Sequence, residues 1–287
     1  MASMRDIKRR KSSIQSTQQI TKAMKLVSTV KLQRTKQRAE QSKTYFDAMF
    51  KTVTSMLSKT GGLNHPYLKA GDSKKKAVIV ITSNRGLAGG YNTNVTKLIT
   101  KGEFKKEDLV IYTIGKKGNE TFRRLGYNVV WDNPEMIEEP KYDDAMALSK
   151  EVLSAFSNGE FGEIYLAYTA FKNTISHEPK IMKLLPYEAV ENEEVTETEE
   201  DNVLMNFEPK DEEALNLIIP KYVTSLIFGG MVEAAASENG ARMQAMDSAT
   251  SNAEEMIDSL SLMYNRARQG SITQELTEIV AGANAIS

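Results

Sequence analysis

The sequence contains no cysteine, which excludes disulfide bonds, thiolate metal sites and thiol-based switches. It also has a single tryptophan, and aromatic residues make up only 7% of it. The two histidines, His65 and His177, have neither a metal-ligand spacing nor a plausible nucleophile beside them, so both are predicted to be surface residues. No catalytic constellation is found in the sequence.

Long apolar runs are also missing. No continuous run approaches the roughly 18 apolar residues of a membrane span, and the charged N-terminus has none of the apolar stretch of a signal peptide. We therefore expect any link to a membrane to go through another protein.

The formal net charge of −1 hides a strong segregation of charge. Residues 1–43 hold twelve Lys and Arg against two acidic residues, and residues 188–213 hold twelve Asp and Glu against one Lys. The basic segment is consistent with a solvated helix face, an acidic protein partner or nucleic acid, but no aromatic residue interleaves with it before Tyr45. The acidic residues 191–201 lack the spacing and the glycine of a calcium loop.

Proline is nearly absent from both ends of the chain. Residues 4–58 contain neither proline nor glycine, and no proline follows Pro220. This predicts an N-terminal helix within residues 1–60 and a C-terminal helix within residues 211–287. At ~1.5 Å per residue the second helix would be on the order of 100 Å long, so it must project beyond any domain of this chain.

The C-terminal helix carries a coiled-coil pattern. Small or flexible residues recur at alternating steps of four and three, and they form the predicted seam: Ala249, Ala253, Met256, Leu260, Met263 and Ala267. The N-terminal helix offers a narrow, partly polar seam at positions seven apart: Ile7, Ile14, Thr21, Ser28 and Thr35. A whole domain separates the two helices in sequence, so we expect them to pair antiparallel.

Between the helices the pattern changes to short apolar runs that alternate with helix-compatible stretches. The runs are residues 77–81, 109–114, 127–131, 164–168 and 181–185; the helical stretches are residues 92–101, 117–125 and 143–156. Such alternation is typical of βαβ units with a mainly parallel sheet. The prediction is an α/β protein: a central Rossmann-like domain over 74–190, an acidic surface loop over 191–210, and a long antiparallel coiled coil of the terminal helices.

The glycine-rich loop SNRGLAGGYN, residues 83–92, follows the first predicted strand. A nucleotide-binding enzyme would hold phosphate there, but neither GxxxxGK[ST] nor GxGxxG occurs. Gly86, Gly89 and Gly90 are better explained by a tight turn and close backbone packing. Two alternatives stay open from the residues alone: a Rossmann-like enzyme that binds nucleotide at this loop, and a coiled-coil protein that binds nucleic acid.

The end of the C-terminal helix is unusual for a free helix terminus. No charged residue follows Glu278, and residues 279–286 are mostly small and apolar. A free terminus is normally polar and frayed, so this composition indicates a socket on another protein.

Five ordered blocks resemble one known family. They are STQQITKAMKLVS (16–28), SNRGLAGGYN (83–92), NGARMQAM (239–246), YNRARQ (264–269) and ITxExxExxxGA (272–283). Together they resemble the gamma subunit of F-type ATP synthases over essentially the whole chain. The cysteine-bearing insertion of the chloroplast members is missing, which favours a bacterial-type subunit without redox control.

The resemblance implies a central-stalk rotor that couples proton flow through the c-subunit ring to ATP synthesis on the beta subunits. One copy would contact the ring of three alpha and three beta subunits, the epsilon subunit and the c-ring, at the cytoplasmic face of the bacterial cell membrane. It would reach the membrane only through the c-ring and would bind no nucleic acid. It would have no catalytic, cofactor or metal site of its own.

The family match also implies partner-contact residues. Arg242, Arg268, Gln269 and Thr273 would meet loops of the beta subunits, and Met24 with Lys25 would pass near an acidic lever segment of beta. Glu275 and Glu278, from the C-terminal block, complete the set. The basic first helix would then face acidic protein rather than phosphate.

Overall fold

The protein is described by a computed structural model that covers residues 3–59, 65–68, 71, 73–187 and 211–286. The predicted acidic loop, 191–210, lies outside the described residues. Two long helices, α1 (Met4–Lys59) and α5 (Asp211–Ile286), run through both of the compact units into which the chain divides. One unit consists of Met1–Thr29 and Arg242–Ser287, and the other is Val30–Ala241.

The larger unit is built on a five-stranded sheet in the order β3-β2-β1-β4-β5. Its strands are β1 (Lys76–Ile81), β2 (Leu109–Ile114), β3 (Asn128–Asn133), β4 (Glu163–Phe171) and β5 (His177–Leu185). The first four strands pair in parallel, and β5 returns antiparallel to β4. The connecting helices are α2 (Tyr91–Thr100), α3 (Lys116–Arg124) and α4 (Tyr142–Ser157). The predicted α/β class with a mainly parallel sheet is confirmed.

Helices cover both faces of this sheet, which explains why the central strands are apolar throughout. In β1, Ile79 and Ile81 point to the core shared with α4 and α5, whereas Val78 and Val80 point to the core shared with α2 and α3. All four side chains are fully buried. The alternation of strand residues between two apolar layers therefore holds the unit together.

The first half of α5 is a core helix of this larger unit. Apolar side chains at helical spacing are fully buried in it: Leu215, Ile219, Val223, Ile227 and Met231. A Cβ at Gly230 would stand 3.0 Å from Cδ2 of Leu166, so glycine lets the helix lie close to the sheet. The prediction assigned all of residues 211–287 to the coiled coil; only the part from Arg242 onward belongs to the two-helix unit. Helical periodicity alone does not separate a helix that packs on a sheet from one that packs on a single partner helix.

One stretch of α5 is also long and apolar enough to cross a membrane by length and composition. The sequence analysis did not identify this stretch, because polar residues interrupt its apolar residues and leave no continuous apolar run. Buried helices of globular cores pass the same test, and 56% of this window is buried within the folded chain.

A polar cluster joins three strands at the amino edge of the sheet. The Glu163 carboxylate on β4 accepts from Nζ of Lys76 at 2.5 Å, from Nζ of Lys183 at 3.0 Å and from the Tyr165 hydroxyl at 3.1 Å. Burial alone would raise the pKa of Glu163, but these hydrogen bonds outweigh burial and lower the pKa to about 2. The Glu163 side chain is only 21% exposed, so solvent screens the cluster weakly.

Replacement of Glu163 by Gln is expected to destabilise the chain in a pH-dependent way. A carboxyl group whose folded pKa is lowered contributes stability above its unfolded pKa, and loses it as pH falls through the folded pKa. The free energy of unfolding should therefore drop by roughly 1–3 kcal/mol at pH 7, and by progressively less between about pH 4.5 and pH 2. Urea unfolding of the wild type and of Glu163→Gln across this pH range measures the difference in the free energy of unfolding. A difference that is constant with pH would contradict the ionic origin.

The smaller unit is a pair of helices in antiparallel contact. Thr21 Oγ1 on α1 lies 2.8 Å from Thr250 Oγ1 on α5, and one turn further along α1 the Lys25 ammonium lies 2.6 Å from Asp247, which is earlier in α5. On α1, Ile7, Thr21 and Ser28 are buried, three of the five residues predicted for this seam.

The α5 side of the seam differs from the prediction at two of its six positions. Ala253 and Leu260 are buried and Ala249 and Ala267 are half-buried, but Met256 and Met263 are 51% and 52% exposed. The residues that point into the seam there lie one position later: the half-buried Ile257 and Tyr264. The prediction agrees with the structure for residues 253, 260 and 267. It placed the second heptad position of the seam one residue too early, at 256 and 263 instead of 257 and 264. Met256 and Met263 are therefore corrected to the outer face of α5.

Candidate partner-binding surface

The last turns of α5 expose an apolar stripe. Ile272, Leu276, Ile279 and Val280 are 48%, 58%, 68% and 58% exposed. Their spacing of four, three and one residues places them on one side of the helix. An exposed apolar stripe of this kind is a candidate for contact with another protein.

Most of the predicted contact residues lie along this same segment. Arg268, Gln269, Thr273, Glu275 and Glu278 are all exposed. The Thr273 hydroxyl donates to the Gln269 carbonyl at 2.9 Å, and Glu278 accepts from Gln274 at 2.9 Å. The segment thus presents directional polar groups beside apolar ones.

The other predicted contact residues form a second zone. Met24, Lys25 and Arg242 are half-buried, and both Lys25, through Asp247, and Arg242 interact within the chain. Asp247 and Thr273 are separated along α5 by roughly 40 Å at 1.5 Å per residue. The structure therefore does not bring the predicted contact residues into one site; it gives two zones on the two-helix unit.

Sequence reasoning missed one part of this surface. Ile20, Leu26 and Val27 of α1 are 60%, 62% and 57% exposed and were not proposed as contacts. The sequence could have indicated them, because these apolar residues do not occupy the heptad positions of Thr21 and Ser28, which face α5. An apolar residue on the outer face of a two-helix unit is a candidate for contact with another protein.

The glycine-rich loop after β1 is closed by its own side chains. Ser83 donates to the Arg85 carbonyl at 2.6 Å, and the Asn92 side chain binds both the N–H and the hydroxyl of Ser83, at 2.9 and 2.7 Å. Leu87 and Gly89 have φ values of +62° and +56°, as a tight turn requires. Asn84 then accepts from the N–H of Lys116, at the start of α3, at 3.0 Å. Two backbone donors at the ends of β1 and β2, the N–H groups of Ser83 and Lys116, are thus already bonded within the chain.

Helix α5 also lies against the position where a Rossmann-like sheet holds its ligand, the switch point between β1 and β4. The Tyr91 hydroxyl, at the start of α2, donates to the Ala234 carbonyl of α5 at 3.1 Å. The Ser237 hydroxyl of α5 donates to the Thr169 carbonyl at the end of β4 at 3.1 Å. The helix fills the crevice that a nucleotide would need.

The charge of the two-helix unit is only mildly positive. Met1–Thr29 and Arg242–Ser287 together carry ten basic and seven acidic residues, because α5 adds six carboxylates beside the basic α1. This balance favours recognition of protein over phosphate backbone. Among the described residues, no group of three or more His, Asp or Glu side chains is arranged to hold a metal ion.

The prediction that both histidines are surface residues is wrong. His65 is 4% exposed; its Nδ1 accepts from the Tyr67 N–H at 3.2 Å, and its Nε2 lies 3.1 Å from Asn216 Oδ1. His177 is half-buried, with both ring nitrogens inaccessible. Loop position suggested exposure, but each ring packs against α5, which the sequence alone does not reveal.

Comparison with known proteins places the chain in one family. The family described as ATP synthase matches residues 3–286. A relative named ATP synthase gamma chain, from Lachnoclostridium phytofermentans, is 64% identical over 100% of both chains. A relative from Acetobacterium woodii named ATP synthase gamma chain, sodium ion specific, is 42% identical over 99% of both.

Solved structures share the fold at lower identity. A chain of the Euglena gracilis mitochondrial ATP synthase matches with a TM-score of 0.72 and 18% identity, covering 99% of this chain and 94% of that one. A chain from the central stalk and c-ring of the Tetrahymena thermophila mitochondrial ATP synthase matches with a TM-score of 0.59 and 23% identity, covering 80% and 99%. From full-length identity and the family match together, this chain belongs to the family of ATP synthase gamma chains.

Proposed function

We propose that this chain is the rotor of the central stalk of an ion-translocating ATP synthase. The observation that carries the proposal is the exposed stripe of Ile272, Leu276, Ile279 and Val280 at the end of a two-helix unit. A stripe of this kind, on a helix that extends beyond its own domain, fits a socket in another protein. The family membership supports the same role, since structures that share the fold come from a central stalk and a rotor.

The partners follow from this role. The stripe would enter the ring of three alpha and three beta subunits, and the α/β unit would meet the epsilon subunit and the c-ring. One copy per complex would sit at the cytoplasmic face of a bacterial membrane and be held there by the c-ring. Chemistry would take place on the beta subunits, and this chain would transmit free energy without catalysis of its own.

Transmission requires contacts that change as the partner changes state. Gln269 and Thr273 offer exposed hydrogen-bonding groups near the end of α5, and Arg242 offers a forked cation in the zone that it shares with Met24 and Lys25. We propose that Arg242, Gln269 and Thr273 bind loops of the beta subunits. Met24 and Lys25 would pass near an acidic segment of the beta subunit. Arg268, Glu275 and Glu278 would line the same surface near the end of α5, beside Gln269 and Thr273.

Arg242→Ala and Gln269→Ala are expected to impair coupling more than folding. Each removes directional hydrogen bonds to a moving partner, while the seam that holds the helices together is kept. With assembly intact, ATP hydrolysis or ATP-driven ion pumping should fall, by up to roughly tenfold for a lost charge-assisted bond of about 1.4 kcal/mol. Reconstituted complexes of equal subunit content provide the measurement.

Gln274→Ala is the matched control for Gln269→Ala, because it removes the same amide from a residue whose bond goes to Glu278 within the helix. It should pump at close to the wild-type rate. Wild-type turnover in both Arg242→Ala and Gln269→Ala would refute the assigned contacts.

Partner binding should also raise the thermal midpoint of the chain. A ligand that binds only the folded state stabilises it by mass action, so a stoichiometric mixture of alpha and beta subunits should shift the midpoint upward by several degrees. Calorimetry with nucleotide alone, and binding to duplex DNA at varied salt, test the two other functions. An unchanged midpoint with alpha and beta, or tight binding of either alternative ligand, would count against the rotor.

A further inference from the structure

The imidazole of His177 occupies a notch in α5. His177 is the first residue of β5, directly after the turn that joins β4 to β5. A Cβ built on Gly240 of α5 would stand 2.5 Å from Cε1 and 2.8 Å from Nε2 of this ring. The ring therefore fills the space that any side chain at position 240 would need, and glycine is required for the β4–β5 hairpin to reach the helix.

The notch offers this ring no well-formed hydrogen bond. Both Nδ1 and Nε2 of His177 are buried without a partner in the described part of the chain. The Phe171 ring lies 6.0 Å away, and the Thr174 carbonyl is close without being aligned for a bond. Burial lowers the pKa of His177, and the weaker influence of the Thr174 carbonyl does not restore it.

No charge from the packed elements is placed to neutralise an imidazolium. On the hairpin, Glu178 is paired with Lys172, and on α5, Glu233 accepts from the Phe171 N–H at 3.3 Å. Burial raises the pKa of the Tyr168 phenol, so that group stays neutral. The remaining charges lie elsewhere. Lys180 and Lys97, the only charged residue of α2, are exposed. Glu238 and Arg242 each stand two residues from Gly240, on other sides of α5, and each has interactions of its own.

We propose that His177 is a pH-sensitive latch, which holds the β4–β5 hairpin against α5 only while its imidazole is neutral. A neutral ring tolerates the apolar notch, whereas a protonated ring brings a charge and a second N–H donor into it. The open form, in which water reaches the ring, takes up the proton more readily. Closure is therefore complete above the ordinary histidine pKa of about 6.5 and weakens as pH falls below it.

Hydrogen–deuterium exchange of the full-length chain at pH 7.5 and pH 5.5, corrected for intrinsic exchange rates, tests the latch. In the wild type, peptides that cover residues 168–181 and the α5 turn around Gly240 should lose protection several-fold at pH 5.5. His177→Gln should show equal protection at both pH values. Gly240→Ala should expose the hairpin at both, because it forces the ring from the notch.

The second histidine serves as the control. His65→Gln should keep the pH-dependent loss, and it leaves His177 as the only histidine signal in a proton NMR titration. That titration should give a midpoint below 6.5. Equal protection of the wild type at the two pH values, a loss that persists in His177→Gln, or a His177 midpoint at or above 6.5 would each overturn the proposal.

Discussion

Leu260→Lys is expected to abolish assembly of the chain with its partners or to uncouple ATP hydrolysis from ion pumping. Leu260 is 8% exposed in the seam between α1 and α5. Loss of a buried leucine side chain costs about 2–5 kcal/mol, and an unpaired ammonium in its place must either leave water or force the helices apart. A shaft of two helices carries torque only while its helices stay in contact, so ATP-driven ion pumping should fall close to background.

Ser259→Lys is the matched control for this substitution. Ser259 is the preceding residue on the same helix, and its side chain is exposed. The same lysine there reaches water and should leave most of the pumping intact, at equal content of assembled complex. If Ser259→Lys lowers ion pumping as much as Leu260→Lys does, contact between the helices in the seam is not what transmits the torque.

A separate experiment tests which residues of α5 point into the seam, Met256 or Ile257. Ile257 is half-buried while Met256 is 51% exposed, so Ile257→Lys should lower the thermal midpoint of the isolated chain more than Met256→Lys. Far-UV circular dichroism measures both. A larger loss for Met256→Lys would restore the phase that the sequence predicted.

That phase error has a physical cause. Steps of four and three fit two heptads that differ by one residue, and the preference for small or flexible residues favoured Ala249, Met256 and Met263 over Thr250, Ile257 and Tyr264. The structure instead turns Thr250 inward, where its hydroxyl lies 2.8 Å from that of Thr21. A polar seam position satisfied by a polar partner on a distant segment leaves no trace in the hydrophobic pattern.

The central strands of the sheet were predictable because they are short, apolar and separated by helices. The predicted runs at 77–81 and 109–114 match β1 (Lys76–Ile81) and β2 (Leu109–Ile114) to within one residue. Features that depend on contacts far apart in sequence were not predictable. The notch at Gly240, the bond between His65 and Asn216, and the division of α5 between two units all require knowledge of which segment lies opposite. The partner-contact residues were predicted from family resemblance alone, because their role depends on the surface of another protein.

Gly115→Ala is expected to be among the most damaging single substitutions in the α/β unit. Gly115 follows β2 with φ +98° and ψ 140°, a conformation open essentially to glycine alone. A Cβ there would stand 2.1 Å from the carbonyl oxygen of Thr82, the residue that also accepts the Gly118 N–H on its hydroxyl at 2.8 Å. The end of β1 and the start of α3 would have to separate. The free energy of unfolding should fall by about 4 kcal/mol or more.

Gly159→Ala isolates the backbone part of this effect. Gly159 also has a positive φ, +77°, but nothing lies within 4 Å of a Cβ built there. Alanine at that position should cost only about 1–2 kcal/mol, the usual penalty for a left-handed residue. Urea unfolding of the two variants and the wild type compares the costs directly. If the two substitutions cost the same, the contact with Thr82 contributes nothing, and the close approach of α3 to β1 is not what holds that edge of the sheet.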